Sequence, residues 1–114
     1  VLIHPDDARR LHVGMGDLVE ISTPGGSLKA RIMVHAGIKP GVAAVEHGFG
    51  HRELGARAHR IGERQQPQDK RLAAGVNLND IGLFDPTRPD KSPWVDAISG
   101  ASVRNGLPAK LRRA

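Results

Sequence analysis

The chain contains, at residues 18–34, the segment LVEISTPGGSLKARIMV, in which two β-like stretches flank a Pro-Gly-Gly turn. Apolar and polar residues alternate from Val19 to Ile21, which is the period of a strand with one buried face. Pro24 and Gly25 supply the backbone angles that a tight turn needs. The pattern therefore predicts a β-hairpin with Val19 and Ile21 on its buried face.

A short strand and a short helix are predicted before this hairpin. Residues 1–3 are apolar and strand-like, and residues 4–11 predict a helix of about two turns. Pro5 suits the first helical position, and Asp6 and Asp7 favour the positive end of the helix dipole.

After the hairpin, short strands alternate with long loops. Strands are predicted at residues 42–45 and 108–112, and a short helix at residues 53–61. The polar stretch at residues 64–70 predicts a mobile surface loop, and the proline-punctuated stretch at residues 83–92 predicts another loop. Short strands, one early helix and long loops favour a small β-barrel over a sandwich.

Length and composition limit the classes of protein. The 114 residues fit one domain with a core of its own. The absence of Cys excludes disulfides, thiolate metal sites and Cys catalysis. The net charge of +5 favours anionic partners, although an ordinary solubilising surface also explains it.

The sequence shows no targeting segment. It has no apolar run long enough to span a bilayer and no signal-peptide pattern. It also begins without Met, in the strand-like residues 1–3. We therefore expect the chain to be a fragment of a larger protein.

Two loops rich in Gly, His and Asn form the candidate binding site. They are VEHGFGH at residues 45–51 and GVNLND at residues 75–80. Gly lets a backbone approach a bound group, and His and Asn side chains supply hydrogen-bond donors and acceptors, which suits a flat polar heterocycle. No nucleophile triad or metal-ligand cluster accompanies the loops, so we interpret the chain as a cofactor-holding domain and not as a complete enzyme.

Other kinds of site fit the sequence poorly. His47 and His51 are four residues apart, but Gly48 and Gly50 disfavour the helix that would bring them together around zinc. The same two glycines lack the third Gly of the dinucleotide-binding fingerprint, and no Walker sequence occurs.

The segment HPDDARRLHVGMGDLVEISTPGG, residues 4–26, resembles the opening of the molybdopterin-dinucleotide-binding domain of the dimethyl sulfoxide reductase superfamily. In that family, this domain is the C-terminal domain of the catalytic subunit. Further matching landmarks are IKPGV at residues 38–42, HGFGH at 47–51, NLN at 77–79 and DAISG at 96–100. In the last of these, Ala97 replaces a Pro that is common in the family. Residues 75–86 and 93–110 are most similar to the tetrathionate and polysulfide reductase branch.

The resemblance implies a fold and a cofactor. The fold would be a six-stranded double-psi β-barrel with short helices and long functional loops, formed by residues 1–114. The cofactor would be bis(molybdopterin guanine dinucleotide) with molybdenum or tungsten, shared with other domains of the parent protein. The ligand of the metal and an iron–sulfur cluster would lie in those other domains.

The resemblance also implies a parent enzyme. The parent would be a molybdopterin-dependent oxidoreductase that reduces tetrathionate or a related sulfur compound, and the fragment would be inactive alone. Its partners would be the remaining domains of the same polypeptide, an electron-transfer iron–sulfur subunit plus a membrane anchor subunit, with no nucleic acid. A periplasmic or membrane-associated location would follow.

Eight residues are the candidate contacts of this cofactor. The resemblance places His47 beside a pterin ring, whereas Asn77 and Asn79 are favoured because an amide donates and accepts at once, matching a pterin or guanine edge. Turn formation by Asn, barrel packing by Phe49 and simple turn chemistry at Gly are the competing explanations. The full set is His47, Gly48, Phe49, Gly50, His51, Asn77, Asn79 and Lys110.

Two alternative functions remain open at this point. One is a basic module on a small β-barrel that binds nucleic acid or an acidic protein, which the charge supports but the scarcity of aromatic residues opposes. The other is a related double-psi barrel that binds a substrate or peptide and holds no dinucleotide.

Overall fold

The computed structural model describes residues 1–52, 56–71, 73–85, 87–90, 92–103 and 105–114. These residues are mainly β, with few helices, which confirms the predicted class. The strands are β1 Leu2–Ile3, β2 Leu18–Thr23, β3 Gly26–Arg31, β4 Met33–Val34, β5 Ala43–Ala44, β6 His59–Ile61, β7 Arg64–Gln66 and β8 Lys110–Arg113, and the helices are α1 Pro5–Leu11 and a 3₁₀ helix at Leu78–Ile81.

The described strands form three sheets. In the first sheet β1 lies between β4, which is parallel to it, and β5, which is antiparallel. In the second sheet β2 lies between β3 and β8, both antiparallel to it. The third sheet contains β6 and β7 alone. The described strands do not close into a barrel, so the six-stranded double-psi β-barrel stays a prediction.

The hairpin of β2 and β3 confirms the prediction from residues 18–34. Its register runs from Leu18 opposite Arg31 to Thr23 opposite Gly26, and it buries Val19 and Ile21 on one face. The returning stretch is not one strand, however. Ile32 separates β3 from β4, and β4 pairs with β1 in the other sheet.

Helix α1 forms as the sequence predicts, with local contacts at both ends. The His4 ring accepts a hydrogen bond from the Asp6 N–H through Nδ1 at 3.1 Å, and Pro5 occupies the start of the helix. The helix ends where His12 adopts a left-handed backbone, with φ of 53°. Its Ala8 side chain is buried in the core.

The main core joins the two three-stranded sheets and α1. Its buried members are Ile3 from β1, Ala8 from α1, Val13, Val19 from β2, and Ile32. Removing such side chains from water is the dominant favourable contribution to folding. The core therefore fixes the frame from which the loops extend.

Two predictions in the middle of the chain need correction. Part of the predicted helix at residues 53–61 lies outside the described residues, and its end, His59–Ile61, is strand β6. The predicted loop at residues 64–70 begins with strand β7, Arg64–Gln66. The closing strand predicted at residues 108–112 is confirmed as β8. Within the described part of the chain, no helix is long and apolar enough to cross a membrane.

Candidate functional site

The two Gly/His/Asn loops meet in the structure. The Gly50 N–H donates a hydrogen bond of 2.7 Å to the Ala74 carbonyl. Gly50 is buried with φ of +67°, and a Cβ added there would lie 2.6 Å from the backbone nitrogen of Asn77 and 2.6 Å from the carbonyl carbon of Val76. The close approach of the loops therefore depends on the missing side chain.

A second contact between the loops lies beside the first. The Phe49 side chain packs over Gly75, where an added Cβ would lie 2.7 Å from the Phe49 Cβ. Gly75 has φ of +84°, so both space and backbone angle favour glycine there. Phe49 stays 48% exposed, which means that its ring does not fill the core.

Asn77 has an observed structural role. Its Oδ1 accepts a hydrogen bond of 3.0 Å from the Asn79 N–H and caps the 3₁₀ helix at Leu78–Ile81. Turn formation, the competing explanation for Asn77, is therefore observed in the structure. Among the described residues, the Asn77 Nδ2 group donates no hydrogen bond, so this group is the one that a ligand can use.

The hairpin of β2 and β3 supports the 3₁₀ helix from behind. The Thr23 hydroxyl donates to the Ile81 carbonyl at 2.7 Å and accepts from the Gly25 N–H at 3.0 Å. A Cβ added to Gly25 would lie 1.7 Å from the Gly82 carbonyl oxygen. The tip of the hairpin therefore fixes the loop that carries Asn77.

A basic pocket of about 570 Å³ opens beside the joined loops. Three predicted residues line it, namely Gly50, His51 and Asn77. The charged side chains in its lining are Lys29, Arg52, Arg57 and Asp80. The Asp80 carboxylate accepts a hydrogen bond from Arg52 in an ion pair. The excess of cations over carboxylates makes the pocket suited to an anionic ligand.

A larger cavity of about 960 Å³ lies on another side of the 3₁₀ helix. Its lining is mostly apolar and includes Phe84 and Trp94, which are 46% and 40% exposed. Asn79 lines this cavity and not the basic pocket. The two Asn residues therefore face different spaces.

The remaining predicted residues lie apart from both cavities. His47, Gly48 and Phe49 are exposed on the first loop and are absent from the described lining of either cavity. Lys110 is exposed on β8, opposite Ser22 of β2. The structure thus gathers Gly50, His51 and Asn77 and leaves these four outside the basic pocket.

Sequence reasoning missed several polar residues of the pocket, among them Lys29, Arg57 and Gln68. Lys29 comes from β3, while Arg57 and Gln68 come from the polar middle of the chain. Each is an ordinary surface residue type, and no spacing links the three in sequence. Only the fold brings them to the loops.

Two turns built on aspartate side chains, at Asp85 and Asp96, lie in the stretch of chain beside the larger cavity. Hydrogen bonds from Thr87 lower the pKa of Asp85, and hydrogen bonds from the Ser99 N–H and hydroxyl lower the pKa of Asp96. In each case the donors stabilise the carboxylate over the neutral acid. These local hydrogen bonds fix the backbone of the two turns.

The loops and the pocket define a class of protein: a mainly β domain whose paired loops and basic pocket suit a polar, anionic ligand. No group of three or more His, Asp or Glu side chains in the described ranges is arranged to hold a metal ion. The chain matches the molybdopterin dinucleotide binding domain family over residues 1–90, and it belongs to this family.

Two curated relatives cover almost the whole chain. The chain is 49% identical to a tetrathionate reductase subunit of Salmonella typhimurium over 113 residues, which is 99% of the chain and 11% of that protein. It is 34% identical to the molybdopterin-containing subunit of the arsenate respiratory reductase of Chrysiogenes arsenatis over 106 residues, which is 91% of the chain and 10% of that protein. The chain thus spans about a tenth of the length of these relatives. No solved structure matches it.

Proposed function

We propose that this chain is the cofactor-gripping domain of a molybdenum or tungsten oxidoreductase whose substrate is tetrathionate or a related sulfur compound. The family supports molybdopterin dinucleotide binding, and the relative at 49% identity supports the substrate class. The cofactor of the parent is bis(molybdopterin guanine dinucleotide). The parent carries an iron–sulfur cluster and the metal ligand in other domains.

The observation that best supports this proposal is that the two loops meet at the basic pocket. Its volume of about 570 Å³ lies within the range of pockets that hold cofactors. The chemistry of the lining fits the organic part of the cofactor, since Lys29 and Arg57 suit phosphate oxygens and the Asn77 amide suits a heterocycle edge. The exposed Gly48, with φ of +89° and open space around it, leaves room for a ligand to approach the backbone.

The protein residues in this proposal bind and orient, while the bound metal supplies the redox chemistry. Arg52 and Asp80 fix each other at the rim of the pocket, which holds the Arg52 guanidinium in one position. His51 lines the same pocket, and His47 and Phe49 are exposed on the same loop. The proposal keeps Asn79 and Lys110 as cofactor contacts outside the basic pocket, on a surface that a closed double-psi barrel built on the sheets β4-β1-β5 and β3-β2-β8 would complete.

The proposal extends to the assembly. The names of both relatives describe subunits. We place this domain in contact with the remaining domains of its own polypeptide, in a complex with an electron-transfer iron–sulfur subunit plus a membrane anchor subunit. The complex is periplasmic or membrane-associated through these partners.

The test is a composition measurement on the parent subunit. Metal is quantified by mass spectrometry, and the nucleotide is released and identified. The expected result is molybdenum or tungsten with about two GMP equivalents per subunit, as a bis-dinucleotide cofactor requires. A folded parent with neither metal nor GMP contradicts the cofactor role.

A further inference from the structure

A basic arm lies, in sequence, between the two loops of the candidate site. It comprises residues 57–66, which include β6, β7 and the turn at Gly62. Every residue of the arm is exposed except Gln66, which is half-buried. Ala56, immediately before the arm, is 1% exposed and anchors its base in the protein.

Few contacts within the arm stabilise its shape. A two-stranded hairpin without a packed face is only marginally stable in water. Ile61 is 64% exposed beside the turn, so the one large apolar side chain of the arm packs on little within the described chain. The arm therefore presents a surface for a partner to cover.

The charge of the arm indicates the chemistry of that partner. The arm carries three Arg and one Glu, together with His59. Within the described ranges, neither Arg60 nor Arg64 forms an ion pair. Most acidic side chains elsewhere in the described chain already have cationic partners, as in the pairs Asp6–Arg9, Asp7–Arg10, Glu20–Arg112, Asp69–Arg71, Asp80–Arg52 and Asp85–Arg88. No described carboxylate pairs with Arg60 or Arg64, so both guanidinium groups are open to carboxylates of another protein.

Two other occupants fit the arm less well. A second copy of the chain carries the same net charge of +5, and contacts between like charges are unfavourable. A nucleic acid would use aromatic side chains for base stacking, and residues 57–66 contain none. An acidic protein surface satisfies both the arginines and the exposed Ile61.

We infer that the arm docks the catalytic subunit onto an acidic surface of a separate protein subunit, with Ile61 as the central apolar anchor between Arg60 and Arg64. The inference rests on the proposed function, which makes this chain part of a multi-subunit enzyme. A charged arm suits a separate chain because charge complementarity guides the encounter of two proteins that fold apart. Arg is also enriched in interface anchors, whereas Lys is depleted.

The test uses the full catalytic subunit expressed together with the other subunits of its complex. The variant R60E/R64E reverses the arm but leaves Arg57 in place, because Arg57 lines the basic pocket. The control K39E/R113E makes the same charge change at two exposed residues that line neither cavity. The variant R60K/R64K keeps the charge and checks that the positions tolerate substitution. For each protein, the ratio of co-purified subunits, the thermal stability of the isolated catalytic subunit, and its metal and GMP content are measured.

We expect R60E/R64E to lower co-purification at least about tenfold, since close charge pairs across interfaces couple by more than about 1.4 kcal/mol each. The control should co-purify as the wild type does, R60K/R64K should retain most of the complex, and all variants should keep their metal and GMP. Wild-type co-purification of R60E/R64E overturns the inference. So does a loss of thermal stability in the isolated catalytic subunit, which would place the arm against its own polypeptide. A different result would contradict the proposed function, namely the absence of metal and GMP from the wild-type catalytic subunit.

Discussion

Gly50 lies directly against the backbone of Asn77, because an added Cβ at Gly50 would come within 2.6 Å of the Asn77 nitrogen. We predict that Gly50→Ala destabilises the domain by about 2–5 kcal/mol, which combines the cost of a left-handed backbone with that of overpacking. Cofactor retention should fall with it, since the two loops can no longer meet. Thermal unfolding and metal content of the parent subunit measure the two effects.

Gly48 provides the matched control for this substitution. Its φ of +89° is also left-handed, but nothing lies within 4 Å of an added Cβ. Gly48→Ala should therefore cost only about 1–2 kcal/mol, the backbone component alone. Equal losses for the two variants would show that the contact between Gly50 and Asn77 is unimportant for stability.

Thr23 joins the hairpin to the 3₁₀ helix through one hydroxyl. Thr23→Val keeps the shape but removes both the bond to the Ile81 carbonyl and the acceptor for the Gly25 N–H. Each partner left without a hydrogen bond in a part-buried place costs about 1–3 kcal/mol, so the free energy of unfolding should fall by about that amount or more. Thr23→Ser, which keeps the hydroxyl, should stay close to the wild type in chemical denaturation.

Asp7 holds the turn that leads into β5. Its side chain is 7% exposed, and its carboxylate accepts the Gly41 N–H through Oδ2 at 2.7 Å and pairs with Arg10. Asp7→Ala should lower the free energy of unfolding by about 1–3 kcal/mol, because it leaves the Gly41 N–H without its acceptor. The neighbouring Asp6, which pairs with Arg9 on the surface, should cost less than about 1 kcal/mol when changed to Ala. Similar losses for both would contradict the role of burial.

Local signals made the first half of the fold predictable. Helix α1 and the hairpin of β2 and β3 carry their own start and turn residues, such as Pro5 and the Pro-Gly turn, so each forms from contacts within about ten residues. The pairing of β4 with β1 joins residues some thirty positions apart in parallel. No periodicity within residues 28–34 marks where β3 ends and β4 begins.

The arm and part of the site escaped prediction for a related reason. Strand prediction uses the contrast between a buried and a solvated face, and β6 and β7 have both faces exposed, so their residues read as helix or loop. Gly50, His51 and Asn77 were found because Gly lets a backbone approach a ligand, because His and Asn offer donors and acceptors, and because their loops resemble landmarks of the family. Lys29 and Arg57 carry no such signal, and only the tertiary structure brings them to the pocket.

Acidification should loosen the turn at residues 96–100. Hydrogen bonds from the Ser99 and Ile98 amides hold the pKa of Asp96 below its ordinary value of 3.8. The unfolded turn thus binds a proton more readily than the folded one, so the stabilisation is complete above pH 3.8 and is lost as the pH falls through the lowered pKa. Hydrogen exchange should show protection of the Ser99 amide at pH 5 that is lost below pH 3.8. In Asp96→Ala this protection should be absent at every pH.

Asn77 has two roles that substitution can separate. Its Oδ1 caps the 3₁₀ helix, and we assign its Nδ2 group to the cofactor. Asn77→Ala removes both groups, while Asn77→Ser keeps an uncharged capping oxygen without the amide NH₂. We expect Asn77→Ala to lose about 1 kcal/mol of stability and Asn77→Ser only a few tenths, because Ser and Asn cap comparably. After gel filtration, both variants should retain several-fold less molybdenum or tungsten than the wild-type parent, because both lack the donor. Wild-type metal content in Asn77→Ser, with a loss in Asn77→Ala alone, would limit Asn77 to capping and move the cofactor contact to the cationic residues of the pocket.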